Sequence, residues 1–127
     1  MKKQVILFIV MCLSCTGCVS DYLYEHHPDN YYFNYVKAIF GRPEGQYRLA
    51  RHLYNQGDME RCYKWCERAA ENGQPNAQYQ MGIAYEFADG LELDLDKAIY
   101  WYEQAASNGY PEAAAQLEKA KQKKSQQ

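Results

Sequence analysis

Along residues 77–88 the apolar positions recur with a helical period. Ala77, Met81, Ala84, Tyr85 and Ala88 fall within about 100° of arc and form one stripe, the core face of a helix. Tyr79, Ile83 and Phe87 fall on the opposite side. One stripe suffices for a surface helix, so the second calls for either a further helix to pack on or a binding face. In the preceding segment the corresponding positions hold Tyr47, Arg51 and Tyr54 or Asn55.

The pattern recurs along the sequence. Segments Tyr31 to Phe40, Arg61 to Asn72 and Lys97 to Asn108 each run into a glycine that opens one short phrase. Its copies are Gly41-Arg42-Pro43-Glu44-Gly45, Gly73-Gln74-Pro75-Asn76-Ala77 and Gly109-Tyr110-Pro111-Glu112-Ala113, spaced 32 and 36 residues apart. Glycine ends the incoming helix in the left-handed conformation, and proline two residues later belongs in the first turn of the next, where its missing N–H costs nothing. Aligned on these glycines, Phe33, Trp65 and Trp101 coincide, as do Ala38, Ala70 and Ala106. A large aromatic with a small residue five positions later lets a helix approach its neighbour closely and fill the space above. In the outgoing helices Tyr47 aligns with Tyr79, Leu49 with Met81 and Leu117, Ala50 with Gly82, and Leu53 with Tyr85.

These alignments predict an all-α architecture: a half-repeat over 30–41, repeats over 42–73 and 74–109, a capping helix over 110–124 and a polar tail over 125–127. Glu118 falls where Ala50 and Gly82 stand, and the helix then turns polar through Lys121, Lys123 and Lys124. A charged residue at that position blocks another repeat from stacking.

The second repeat resembles the Sel1-like repeat, a relative of the tetratricopeptide repeat. Ala77, Met81, Gly82, Tyr85, Gly90, Leu91, Asp94, Lys97, Ala98, Trp101, Tyr102, Ala105, Ala106 and Gly109 carry the likeness over 36 residues. The first repeat is four residues shorter at its hairpin loop, Asn55-Gln56-Gly57-Asp58, and has Cys62 for Ala98 and Cys66 for Tyr102. The resemblance implies a short right-handed solenoid of αα-hairpins that binds proteins. In such arrays the second stripe lines a concave groove, so Tyr47, Arg51, Tyr54, Tyr79, Ile83 and Phe87 are the expected partner-binding residues. Tyrosine and arginine combine large contact area with a polar tip, the property that makes them interface hot spots. For Ile83, packing against the next repeat is an equal expectation.

The N-terminus bears on the compartment. Lys2 and Lys3 precede an apolar run from Val5 to Leu13, too short to span a bilayer and of the size of a secretory h-region. Cys15-Thr16-Gly17-Cys18 resembles the lipobox of bacterial lipoproteins, which makes 1–17 a signal peptide, Cys18 the lipidated first residue and 18–29 a tether. Lipidation at Cys15, ordinary signal cleavage and an uncleaved anchor are the alternatives. Acyl groups attached at one cysteine anchor a protein stably when there are two or more of them. Val19 instead of Asp after the cysteine implies, by the same resemblance, the outer membrane and its periplasmic face. A tether of this length reaches at most about 40 Å, so the domain works close to its membrane.

Cleavage before Cys18 leaves 110 residues, one domain's worth. With Lys2 and Lys3 gone, 12 basic residues face 16 acidic ones, a balance of −4 that excludes a nucleic-acid binder. Little catalytic chemistry stands out. Cys62 and Cys66, four apart on a helix, are either two small core residues or a strained thiol pair in an oxidising compartment. His52 alone makes no metal site, and His26 and His27 lie in the tether. Of Glu86, Asp89, Glu92, Asp94 and Asp96, Asp94 is expected to cap the following helix and the rest to face solvent. With no nucleophile beside a base and no phosphate loop, the protein reads as a non-enzyme without metal or cofactor.

Three functions are therefore expected. The first is a lipid-anchored periplasmic adaptor that holds an envelope protein in its groove. The second follows from resemblance to Sel1-like lipoproteins that include immunity proteins: inhibition of a phospholipase or other periplasmic toxin delivered by type VI secretion. The third is a thiol or redox role for Cys62 and Cys66. Oligomeric state is not specified by the sequence.

Overall fold

A computed structural model describes residues 31–127, apart from the side chains of Tyr32 and Phe33. The signal peptide over 1–17, the tether over 18–29, His26, His27 and the lipidation candidates Cys15 and Cys18 lie outside the described residues, as does the side-chain placement of Phe33. Six α-helices make up the described part: α1 Tyr31–Ile39, α2 Pro43–Asn55, α3 Met59–Glu71, α4 Pro75–Phe87, α5 Leu95–Ser107 and α6 Ala113–Ser125. The substantial helix contacts all join consecutive helices, so the described part is an all-α stack of hairpins. Among the described residues no helix is long and apolar enough to cross a membrane.

The repeated phrase does the work its residues suggest at two of its three copies. Gly73 has φ 83°, its N–H bonds the Ala70 carbonyl at 3.0 Å, and the Gln74 N–H reaches Ala69 at 3.0 Å. This left-handed turn satisfies carbonyls that a helix end leaves open. Pro43 and Pro75 then open α2 and α4. In the third copy Gly109 makes the same turn, with φ 84°, but Pro111 precedes the helix instead of opening it. Pro111 and Glu112 lie in a turn closed by the Ala113 N–H on the Tyr110 carbonyl at 3.2 Å, and no side chain caps α6.

The α3 and α5 helices begin two residues earlier than the apolar pattern indicates, because aspartate caps them. The Asp58 carboxylate accepts from the Arg61 N–H at 3.1 Å, and that of Asp94 from the Lys97 N–H at 3.0 Å. Ala88 departs from its expected place in the core stripe. It caps the end of α4 in the left-handed conformation, φ 55°, and is exposed, because the longer α4–α5 loop turns the backbone there.

The core is built from the remaining stripe residues. Leu49, Met81 and Tyr102 are the largest fully buried side chains, with Ala69, Ala77, Ala98 and Ala105 filling the close helix approaches. Trp101 is buried, whereas Trp65 is half-buried beneath the Arg68 guanidinium, 4.9 Å from its ring centroid. Gly82 is where α4 and α5 come closest: a Cβ there would stand 2.5 Å from the Tyr102 ring. The largest fully buried side chain therefore packs over the smallest residue.

Two buried glutamines repeat with the array. The Gln46 amide donates to the Ala38 carbonyl at 3.3 Å and accepts from the Asn72 amide at 2.9 Å. One repeat later Gln78 donates to the Ala70 carbonyl at 3.0 Å and accepts from Asn108 at 2.9 Å. Each glutamine thus ties its own helix to the end of the helix before it and to the cap residue of the helix after it. In the last copy Ala114 holds the position, is exposed, and ends the ladder.

Glu86 differs from its expected solvent-facing place. It is 4% exposed, accepts from the Tyr102 hydroxyl at 2.8 Å and the Gln116 amide at 3.2 Å, and pairs with the Lys123 ammonium at 3.8 Å. The α6 helix supplies two of these partners, so the carboxylate is enclosed by the closing helix. Glu92 and Asp96 are exposed, Asp96 in contact with Lys124.

Candidate functional site

A cleft of about 210 Å³ opens among α2, α3, α4 and the loop after α4. From α2 come Tyr47, Ala50, Arg51, Tyr54 and Asn55, from α3 Cys62, Tyr63 and Cys66, from α4 Gln80 and Ile83, and from the loop Asp89. Residues 47, 51 and 54 share a face of α2 by helical spacing, and 80 and 83 share one on α4. The side chains of α3 form the floor between them.

Four of the six groove residues expected from the sequence meet here: Tyr47, Arg51, Tyr54 and Ile83. Tyr47 is half-buried; burial pushes its hydroxyl above the usual tyrosine range, opposed by the nearby Arg51 cation. Tyr54 and Arg51 are exposed. Ile83 meets both expectations, since it lines the cleft and also packs on the cluster of Ala98, Tyr102 and Ala120 in the following helices.

The other two lie elsewhere. Tyr79 stacks on Tyr110, with ring centroids 4.4 Å apart at 20°, and tilts against Tyr102 at 5.6 Å. Burial, and then the neighbouring Tyr110, raise its hydroxyl pKa. The half-buried ring is therefore engaged with the next repeat. Phe87 is 58% exposed at the end of α4, with the Lys123 ammonium 5.0 Å from its ring centroid.

Tyr63 and Asp89 are lining residues that periodicity does not single out. The Tyr63 hydroxyl lies near the Asp89 carboxylate; burial first, and that acid second, hold the phenol well above its usual range. The contact spans from α3 to the loop of the next repeat. Gly90 makes it possible, because a Cβ at that residue would stand 2.2 Å from the Tyr63 ring. Gly90 in the extra loop length was the signal available in the sequence.

Cys62 and Cys66 form the floor as buried thiols, 6% and 4% exposed. The Cys66 thiol donates to the Ala77 carbonyl at 3.7 Å. Burial, with Asp89 next, pushes Cys62 up to about 11, and burial, with Cys62 next, pushes Cys66 up to about 12. Reactive thiols have the opposite shift, so these two act as small core residues at neutral pH. His52 is half-buried, with its ring 4.9 Å from that of Tyr31 and its Nε2 2.9 Å from the Gln56 amide. Among the described residues no three His, Cys, Asp or Glu side chains converge on a point that could hold a metal ion.

The arrangement suits contact rather than conversion: aromatic rims, an apolar floor, one cation and several neutral donors. A family model for the Sel1 repeat matches the sequence twice, over residues 43–74 and 75–110, which is more than half its length. The boundaries follow the proline-led starts of α2 and α4. No curated protein matches the sequence.

Proposed function

The chain belongs to the Sel1 repeat family, whose repeats generally mediate protein–protein interaction, and from that premise we propose that it is a lipid-anchored adaptor of the cell envelope. Its cleft between α2 and α4 holds a protein partner, and Cys18 attaches it to the outer membrane on the periplasmic side. One observation carries the binding half: Tyr47, Arg51, Tyr54 and Ile83, separated by up to 36 positions, line a single cleft. The lipobox-like Cys15-Thr16-Gly17-Cys18 carries the anchoring half. Proteins of this family are typically interaction modules and not enzymes.

The test is crosslinked capture from the native envelope with the full-length protein, followed by mass spectrometry. Tyr47→Ala combined with Tyr54→Ala should abolish capture while leaving helicity unchanged by circular dichroism. Capture that survives in this variant moves the partner off the cleft. Resident envelope proteins among the captured species support the adaptor, whereas a secreted phospholipase or other toxin makes the protein an inhibitor. Labelled palmitate should enter the wild type and not Cys18→Ser; retained label in that variant removes the proposed anchor.

A further inference from the structure

Arg51 is the one cation among the described residues lining the cleft, and no carboxylate of the described residues pairs with it. Elsewhere Asp58, Glu60, Glu86, Asp94, Asp96 and Glu103 each meet a lysine or arginine of the same protein. Asp89, the acid within the cleft, lies near the Tyr63 hydroxyl and makes no ion pair with Arg51. A guanidinium stays charged at any relevant pH and offers a fork of donors that matches a carboxylate. Around it Asn55 and Gln80 bring amide donors and Tyr47 a hydroxyl, over the apolar floor of Ala50 and Cys66.

We propose that the cleft seats a carboxylate presented by the protein partner, its charged end paired with the Arg51 guanidinium and its stem laid on the apolar floor. This rests on the protein-binding function above and names its chemistry. At about 210 Å³ the cleft is below the range of roughly 300 to 1,000 Å³ usual for free small ligands and matches a single residue of a longer polypeptide. The carboxylate is that of an Asp or Glu side chain, since the cleft has room for one residue and its apolar floor takes the methylene stem. The protein as a whole carries 16 acidic against 14 basic residues, so long-range attraction does not draw an acidic partner. Recognition comes from the local pairing, which is short-ranged and specific.

Bead libraries of random nonapeptides test this against the full-length protein in detergent micelles. One library is amidated at the C-terminus and the other ends in a free carboxylate. A fixed Asp or Glu enriched in both libraries is the expected result; enrichment confined to the free-terminus library points to a terminal carboxylate and overturns the assignment to a side chain. Arg51→Gln should weaken the selected peptides at least tenfold, Arg51→Lys should weaken them less, and Asp89→Asn should leave or raise their affinity. Both arginine variants lie on an exposed helix position, so the fold is expected to persist, and circular dichroism verifies it. No enrichment at all, or affinity for acidic peptides unchanged by Arg51→Gln, overturns the proposal. Peptides selected without any acidic feature and lost with Tyr47→Ala also overturn it, while leaving the cleft as a protein-binding site. Envelope capture insensitive to the Tyr47/Tyr54 variant removes the site altogether.

Discussion

Tyr102 places a hydroxyl where water does not reach and aims it at the Glu86 carboxylate. The ring is fully buried, and burial, followed by the bond to Glu86, holds the phenol far above its usual range. Removing the hydroxyl by Tyr102→Phe leaves a buried acceptor one partner short, which costs about 1 to 3 kcal/mol. Urea unfolding of the two proteins measures this directly; a loss near zero would show that Gln116 and Lys123 suffice for Glu86. The thiols of Cys62 and Cys66 carry a pH dependence of determinate sign. Their folded values of about 11 and about 12 exceed the ordinary 9.0, so the folded protein keeps protons that the unfolded one releases. Stability is therefore full below pH 9 and declines as pH rises from there toward 11 and 12. Thermal melts of Cys62→Ala with Cys66→Ala should show a shallower decline than the wild type between pH 9 and 10, the tyrosines, with an ordinary value of 10.0, adding the same decline to both proteins.

At the scale of helices, the units of construction are the ends as much as the faces. Gln78 bonds the Ala70 carbonyl in the last turn of α3 and the cap residue of α5, so it holds three helices through one amide. Gln78→Ala should cost about 1 to 3 kcal/mol by stranding these groups. A double-mutant cycle with Asn108→Ala checks the origin: the two losses should be strongly non-additive if one network is broken. The glycine turns, the proline starts and the Asp94 cap were legible in the sequence, because each depends on the backbone preferences of one or two residues. Gln46, Gln78 and Glu86 were not, since a polar residue on a helix reads as solvent-facing until its partners are known. Those partners lie 26 to 30 positions away, as Asn72, Asn108 and Gln116. Ala88 misled for a different reason: period alone extends a stripe past the point where the backbone turns.

The described part of the molecule is a stack in which the most substantial contacts pass from each helix to the next. The division into repeats was legible because the same phrase recurs, and the two matched repeats follow it closely. The cleft was legible in part. Its α2 wall and Ile83 were visible as a second stripe, but Gln80 is a polar helix residue without an apolar signal, and Asp89 comes from the longer loop after α4. Tyr79 belongs to the same helical stripe as Ile83, yet Tyr110 from the third phrase covers it, so a shared stripe does not become a shared surface. The two ends of the stack also differ. Ile39 and Phe40 at the first are more than half exposed, whereas α6 closes the other with lysines paired to Glu86, Asp96 and Glu103.

The mainly sequential connectivity has a kinetic corollary. Every hairpin brings together residues close in sequence, so little loop-closure entropy stands between the unfolded polypeptide and its first native contacts, and low contact order of this kind accompanies folding in microseconds to milliseconds. Among the described helices no substantial contact clasps the first to the last, so force applied across the stack would peel it from its ends in steps.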